Sequence, residues 1–487
     1  MTKVKFSDNS YYNFIRYLMI NPTVHNTEEI LQSNKNISAI APPTTQTTPK
    51  KNKIKLGVII LGVGCFGLII LTCCAVASIP LFIPDLIDSS TDSRQTTDID
   101  ITESPESKEL THAELKEEIK LITDQTSELR GLDYNFEDLQ FEFITEDELS
   151  QKILEIVGEK PEDEYFDESL FKALEVIPED INIYDTYISF YEEQILGFYY
   201  PEEEKFYILS GTQELNVSDK TTIAHEFTHY LQDKYYDIEQ MDKKYDLSIE
   251  SNEDIYQAYT ALLEGDATYT MYLYLHTLSN KEQKEYWSIS YDEPDLPKFL
   301  VDSFSFPYVN GYYFVEDLYK QTNDFSLVDK VYTDMVKSTE QILHPEKYKV
   351  DEVGPYTLSE EVISWFQTEY VTTEELYFTH YTLGELDTKL VLQEFMNIDR
   401  ATEAAMGWNG NSTTFWYDPE TGKYLVVMYY LWDTQEDLDD YILSANYMCT
   451  KLENASDCYT AEPITDRGYL ESITTIQGQR TDLTSIG

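Results

Sequence analysis

Residues 221–233 read TTIAHEFTHYLQD, and this stretch decides how the chain is interpreted. On a helix, side chains four positions apart share a face, so His225 and His229 can bind one metal ion. Glu226 lies beside that face, where its carboxylate can reach a water on the metal rather than the metal itself. The apolar side chains fall on the opposite side of the helix and are Ile223, Phe227, Tyr230 and Leu231. The stretch therefore predicts an amphipathic helix with a metal face and a core face.

A catalytic zinc ion takes three protein ligands and keeps one position open for water. The next strong helix is expected over residues 252–278 and carries Glu264 beside Gly265 and Ala267. Small residues allow two helices to approach closely, and an acid inside an apolar helix needs a partner. We expect Glu264 to be the third zinc ligand. The alternatives that the sequence leaves open are Asp266, Glu253 and Asp254.

A helix with H-E-x-x-H, followed by a helix with E-G-x-A, resembles the gluzincin zinc metallopeptidases. A closer resemblance, over residues 135–440, is to a poorly characterised group of bacterial membrane-anchored HExxH proteins. Those proteins carry stretches similar to residues 338–348 and 405–410. The resemblance implies a zincin-like domain that hydrolyses peptide bonds with a zinc-bound water, with Glu226 as the general base.

Several further residues are candidates for roles around the metal. The oxyanion of a tetrahedral intermediate needs a donor, and we consider Tyr308 and His344 for this role. A packing role for Tyr308, and a role for His344 in orienting the preceding turn, stay open as alternatives. Asp233 is expected either to orient a ligand histidine or to be solvated. The strand at 205–209 is expected to pair with an extended substrate as an edge strand.

The composition excludes two classes of protein. The chain of 487 residues has 90 acidic and 35 basic side chains and a net charge of −55. A nucleic-acid binder needs clustered positive charge, so no nucleic-acid partner is expected. Hydrophobic residues make up 42% of the chain and aromatic residues 14%, which is enough to build a core. An acidic disordered chain is therefore excluded as well.

Residues 56–83 form an uncharged apolar run, longer than the roughly 20 residues that cross a bilayer as a helix. Residues 1–83 carry a net charge of +5, which leaves −60 for the remainder. The positive-inside rule then predicts a cytoplasmic N-terminus and an acidic part outside the cell membrane. We expect an uncleaved single-pass anchor that contacts the lipid bilayer. A signal peptide cleaved near residues 75–77 is the alternative.

Two cysteines, Cys449 and Cys458, lie outside the apolar run and are nine positions apart. Because an extracytoplasmic compartment is oxidising, we expect them to form a disulfide. Two free thiols are the alternative.

The pattern predicts an α+β fold: a mainly helical zincin-like peptidase domain with a small N-terminal sheet, preceded by one transmembrane helix. A C-terminal α+β accessory domain is expected to follow. The expected divisions are a disordered cytoplasmic segment at 1–55, the membrane helix at 56–83, an acidic stalk at 84–110, a linking helix within 111–134, the peptidase domain at 135–350 and the accessory domain at 351–487. We expect Ser218 or Asp219 to cap the helix with the histidines.

Finer patterning places individual elements. Strands are expected at 139–143, 195–200 and 205–209, a hairpin at 413–417 and 424–431, and helices at 111–129, 146–157, 382–395, 399–406 and 435–448.

Together these features predict a membrane-anchored extracytoplasmic zinc endopeptidase that acts on a protein or peptide. One rival is a non-enzymatic surface binding or adhesion protein stabilised by zinc. A second is a metal-dependent hydrolase of a non-peptide bond.

Overall fold

A computed structural model describes residues 111–157, 166–186, 197–209, 214–245, 253–289, 296–348, 377–418, 421–460 and 470–480. The expected cytoplasmic segment, membrane helix and acidic stalk lie outside these residues. Among the helices of the described ranges, none has the length and apolar character needed to cross a bilayer.

The chain forms an α+β fold with two separate sheets. The elements before the last sheet are α1 (His112–Arg130), β1 (Gln140–Ile144), α2 (Glu146–Val157), α3 (Phe166–Ala173), β2 (Gly197–Tyr200), β3 (Lys205–Leu209), α4 (Val217–Tyr236), α5 (Ile238–Tyr245), α6 (Glu253–Thr277), α7 (Asn280–Tyr286), α8 (Lys298–Thr322), α9 (Ser326–Val331) and α10 (Thr339–Leu343). The C-terminal elements are β4 (Tyr377–Tyr381), α11 (Glu385–Gln393), α12 (Ile398–Ala405), β5 (Trp408–Tyr417), β6 (Lys423–Trp432), α13 (Gln435–Cys449), β7 (Ala455–Thr460) and β8 (Leu470–Gln479).

The first sheet has the strand order β1-β3-β2, with β3 parallel to β1 and antiparallel to β2. The expectation that residues 205–209 act as an edge strand is wrong, because β3 has a neighbour on each side. The edge strand nearest the helices is β2, which packs against α4. All four residues of β2 are buried.

Helix α6 crosses α8 at very short range because each helix has a glycine at the contact. A Cβ atom added to Gly265 would lie 2.2 Å from the backbone of Gly311, so neither position tolerates a side chain. Helix α6 also packs against α4 on another side. The crossing therefore holds Tyr308, one turn before Gly311, close to the face of α6 that meets α4.

The second sheet is antiparallel, with the strand order β4-β5-β6-β8-β7. The predicted hairpin is confirmed as β5 and β6, and both strands are longer than expected. The disulfide between Cys449 and Cys458 is confirmed and ties the end of α13 to β7. Strands β4, β7 and β8 were not predicted.

One hydrophobic core extends through the helices and the second sheet. It includes Leu170 in α3, Leu262 in α6, Val315 in α8 and Val426 in β6. A second cluster joins α1, α4 and the first sheet, with Phe227 fully buried. The apolar face of α4 packs in this second cluster, so its histidine face is turned toward α6.

Candidate functional site

Helix α4 presents the two histidines one turn apart. Its N-cap is Asn216, whose side chain accepts from the Asp219 amide while the Asp219 carboxylate accepts from the Asn216 amide. The expected cap at Ser218 or Asp219 is wrong, because the helix begins earlier and Asp219 occupies the third position of this capping box. Of the four expected core residues, Phe227, Tyr230 and Leu231 are buried and Ile223 is partly buried.

Helix α6 brings Glu264 to both histidines. Its Oε2 atom lies 3.1 Å from Nε2 of His225 and 3.5 Å from Nε2 of His229. The two Nε2 atoms are 3.0 Å apart. Among the described residues, these three form the one group of histidine, cysteine and acidic side chains with the spacing of a metal site.

The three donor atoms fit a zinc ion in both number and spacing. Ligand atoms about 2.1 Å from a tetrahedral ion lie about 3.4 Å from one another, close to the three distances observed. Two imidazoles and one carboxylate are one of the donor sets of catalytic zinc sites, whereas structural zinc sites use thiolates. The two cysteines in the described part of the chain are joined in the disulfide.

Electrostatics couples the three side chains. Burial and the charge of His229 lower the pKa of His225 to about 4. Burial also disfavours a charge on His229, but the Glu264 carboxylate outweighs it and raises the pKa of His229 to about 9. Burial likewise works against the charge of Glu264, and the two histidines lower its pKa to about 2. The carboxylate is therefore ionised at neutral pH, as a metal ligand must be.

Glu226 points from α4 toward the edge of the first sheet. Its Oε2 accepts a hydrogen bond of 3.0 Å from the backbone N–H of Tyr199 in β2. The charge of Glu226 also raises the pKa of His229. The carboxylate of Glu226 is not one of the three candidate ligands, so its position suits a group that acts beside a metal ion.

The site is closed to bulk solvent. His225 and Glu264 have no exposed surface, His229 is 2% exposed and Glu226 is 3% exposed. A small cavity reaches Glu226 between α1, α4 and the first sheet, and its other lining side chains are mostly apolar. Charges in such an environment are poorly screened, so interactions among these groups are strong.

Asp266, the competing ligand, has a different partner. Its carboxylate accepts from Arg130 of α1 at 2.7 and 3.0 Å and from the Tyr332 hydroxyl at 2.8 Å. Arg130 and Asp266 are both buried. The two more distant alternatives also bond elsewhere: Glu253 accepts from the Thr382 amide, and Asp254 accepts from Thr339.

Tyr308 lies beside the histidine pair. Its ring centre is 6.3 Å from that of His225, with the two planes inclined by 29°. Tyr308 is 1% exposed. The structure therefore brings the ring of this oxyanion candidate next to the site.

His344 lies in a different polar cluster. Its Nε2 is 2.9 Å from Oε1 of Glu385, and this carboxylate raises the pKa of His344. The helix before His344 is tied to the start of α6, where Thr339 donates to Asp254. Asp254 precedes Glu264 by ten residues, about 15 Å along a helix. The contacts of His344 therefore lie with Glu385, near the start of α6, and no catalytic step is assigned to it.

Two contacts at the site were not predicted from the sequence. Gln232, rather than Asp233, contacts a ligand histidine, since its Oε1 lies 2.8 Å from Nδ1 of His229. Asp233 instead accepts from the Tyr199 hydroxyl at 2.9 Å. The sequence alone does not indicate whether Gln232 or the adjacent Asp233 contacts His229. The choice depends on how α4 is rotated about its axis relative to α6.

The chain matches no family model, no curated protein and no solved structure.

Proposed function

We propose that this chain is a zinc-dependent endopeptidase of zincin type, with His225, His229 and Glu264 as ligands and Glu226 as general base. The observation that carries the proposal is the meeting of three buried donor atoms at 3.0 to 3.5 Å, from two helices, beside a second buried acid, Glu226. This arrangement unites the parts that metal-assisted hydrolysis requires. A bound zinc ion supplies Lewis-acid polarisation of a carbonyl and lowers the pKa of water.

Glu226 handles the proton in this mechanism. The Tyr199 N–H holds one oxygen of its carboxylate, which fixes the side chain between α4 and β2. From this position Glu226 accepts a proton from the attacking water and then gives it to the nitrogen of the departing amine. A carboxylate of this type contributes a factor of about 100 to 10,000 to the rate.

Strand β2 is the proposed docking edge for an extended substrate. It lies at the edge of the first sheet and one of its amides contacts Glu226. A peptide added along an edge strand is held by backbone hydrogen bonds and so needs no particular sequence. Docking there would bring a peptide carbonyl beside the general base. Because the site is buried, an extended segment is a better substrate than a folded surface.

Localisation in the membrane is part of the same proposal. Residues 56–83 anchor the chain and the acidic remainder lies outside the cell, as the charge asymmetry favours. Protease treatment of intact cells should release the acidic part. Protection of that part in intact cells would contradict the orientation.

The second candidate is a non-enzymatic surface protein in which the metal stabilises the fold. The complete burial of the three ligands favours it, because structural metal sites are closed. Glu226 favours hydrolysis, because a structural site has no use for a second buried acid that does not join the donor group.

The Glu226→Gln variant of the full chain distinguishes a peptidase from a non-enzymatic protein. We expect its hydrolysis of a labelled unfolded protein to fall at least about 100-fold while the zinc content is unchanged. Glu239→Gln, an exposed change on α5, is the matched control and should keep full activity. Undiminished turnover by Glu226→Gln would contradict the general base. A wild-type chain that holds zinc but hydrolyses nothing would favour the non-enzymatic candidate.

A further inference from the structure

The nitrogen of His229 that faces away from Glu264 is Nδ1, and it has a buried partner. It lies 2.8 Å from Oε1 of Gln232. An amide oxygen can only accept, so His229 donates from Nδ1. A neutral ring protonated at Nδ1 keeps its lone pair on Nε2, which faces His225 and Glu264. The contact therefore selects the tautomer that a metal ligand needs.

The orientation of the Gln232 amide follows from its other contacts. Its nitrogen lies 2.9 Å from the Leu263 carbonyl oxygen and 3.3 Å from Oδ2 of Asp266. Both of these atoms are acceptors, so this side of the amide carries the NH₂ group and the oxygen points to His229. The inverted amide would place its oxygen against a carbonyl and a carboxylate.

Asp266 is in turn held in place from two other elements. Arg130 donates to both of its oxygens, and the Tyr332 hydroxyl donates to Oδ2. The Arg130 guanidinium also lies 4.4 Å from the centre of the Phe325 ring. A buried bidentate ion pair has little freedom to rotate, so the acceptor that orients Gln232 is itself fixed.

We propose that Gln232 is a positioning residue for the metal centre: it fixes the tautomer and ring orientation of His229 and is itself fixed by Asp266 and Arg130. The inference rests on the proposed function, because it assigns His229 to a metal. The two histidine rings differ in their hydrogen bonds: Nδ1 of His229 contacts Gln232, whereas Nδ1 of His225 has no hydrogen-bond partner among the described residues. The ring of His229 is therefore the better oriented of the two.

The test compares the zinc affinity of the full chain in three forms by competition with a chromophoric chelator. Gln232→Leu keeps the approximate size of the side chain and removes every hydrogen bond, so zinc affinity should fall about 10- to 100-fold. The matched control is Gln257→Leu, which removes a contact of the same kind between α6 and the buried Asp387. Its zinc affinity should stay within about twofold of wild type. The visible spectrum of the cobalt-substituted protein should change in Gln232→Leu and not in the control.

Each outcome has a distinct meaning. Equal zinc affinity in wild type and Gln232→Leu, or an equal loss in both variants, would overturn the positioning role and leave the proposed function standing. Failure of the wild type to bind zinc would overturn the proposed function instead. If Gln232→Leu does not fold, Gln232→Met replaces it, because it also removes the amide and keeps the length of the side chain. Its zinc affinity should then fall about 10- to 100-fold, and an affinity within about threefold of wild type would overturn the inference.

Discussion

Helix α6 carries two buried carboxylates two residues apart, and they meet opposite surroundings. Glu264 faces the two histidines of α4, whereas Asp266 faces Arg130 of α1. Neither side chain has any exposed surface. The histidines and the arginine differ in one property that matters here: a histidine can lose its proton and bind a metal, but an arginine stays protonated.

This difference separates an acid whose partners can bind a metal from an acid that is held in an ion pair. The Arg130–Asp266 ion pair is fully buried, so it acts as a fixed tie between α1 and α6. The group around Glu264 can exchange a proton on His229 for a metal ion. Burial alone therefore does not identify a buried acid as a candidate metal ligand. The type of side chain that it contacts, histidine or arginine, is what distinguishes the two acids.

The largest effect on stability is expected from Asp266→Ala. The change leaves the buried Arg130 with one described charged partner, the partly exposed Asp329, and the free energy of unfolding should fall by about 3–5 kcal/mol. Urea unfolding in the presence of a chelator measures this loss of unfolding free energy without a contribution from bound metal. The control is Asp329→Ala, which removes the other, 40% exposed partner of Arg130 and should cost about 1 kcal/mol or less. Equal losses in the two variants would contradict the structural assignment of Asp266.

A smaller effect is expected where α6 and α8 cross. The Cβ atom of Gly311→Ala would lie 2.1 Å from the Ala261 carbonyl oxygen, so the helices must separate. We expect a loss of about 1–3 kcal/mol in the free energy of unfolding, together with weaker zinc binding because Glu264 adjoins the contact. Ser305→Ala on the same helix should change neither quantity. Zinc affinity that is unaffected while stability falls would show that the crossing does not position Glu264.

The smallest effect concerns Asp254, another buried acid on α6, which accepts hydrogen bonds from Thr339. Burial, with the nearby Glu385, raises its pKa to about 7, although Thr339 donates to it. Between the unfolded pKa of about 4 and pH 7 the folded state holds a proton that the unfolded state lacks. The free energy of unfolding from this group therefore falls as pH rises through that window.

Asp254→Asn removes this dependence. Its stability relative to wild type should increase by on the order of 1–2 kcal/mol between pH 4 and pH 8, measured by urea unfolding at both values. The exposed change Asp317→Asn should give a curve parallel to wild type. A parallel curve for Asp254→Asn as well would show that burial does not raise the pKa of this acid.

The sequence predicted the local features of the site because they follow from helix periodicity. The spacing of His225 and His229 brought both rings to one face, and the small neighbours of Glu264 marked the acid that reaches them. Helix boundaries were recovered to within a few residues for α1, α2, α6 and α13. These features depend on residues close together in the chain.

Features that depend on distant residues were not predicted. Arg130 is 136 residues from Asp266, and no local pattern joins them. The position of β3 inside its sheet depends on pairing with β1, which lies more than sixty residues earlier. Strand β7, with the sequence ASDCYT, is short and mostly polar, so it lacks the apolar alternation that marks a strand.

The most direct measurement is the zinc content of the purified full chain, wild type and Glu264→Gln, by elemental analysis after dialysis. We predict about one zinc ion per wild-type chain and almost none in Glu264→Gln, because two imidazoles alone hold zinc weakly. A wild-type chain without zinc, or a Glu264→Gln chain that keeps it, would contradict the assignment of these three side chains as a metal centre.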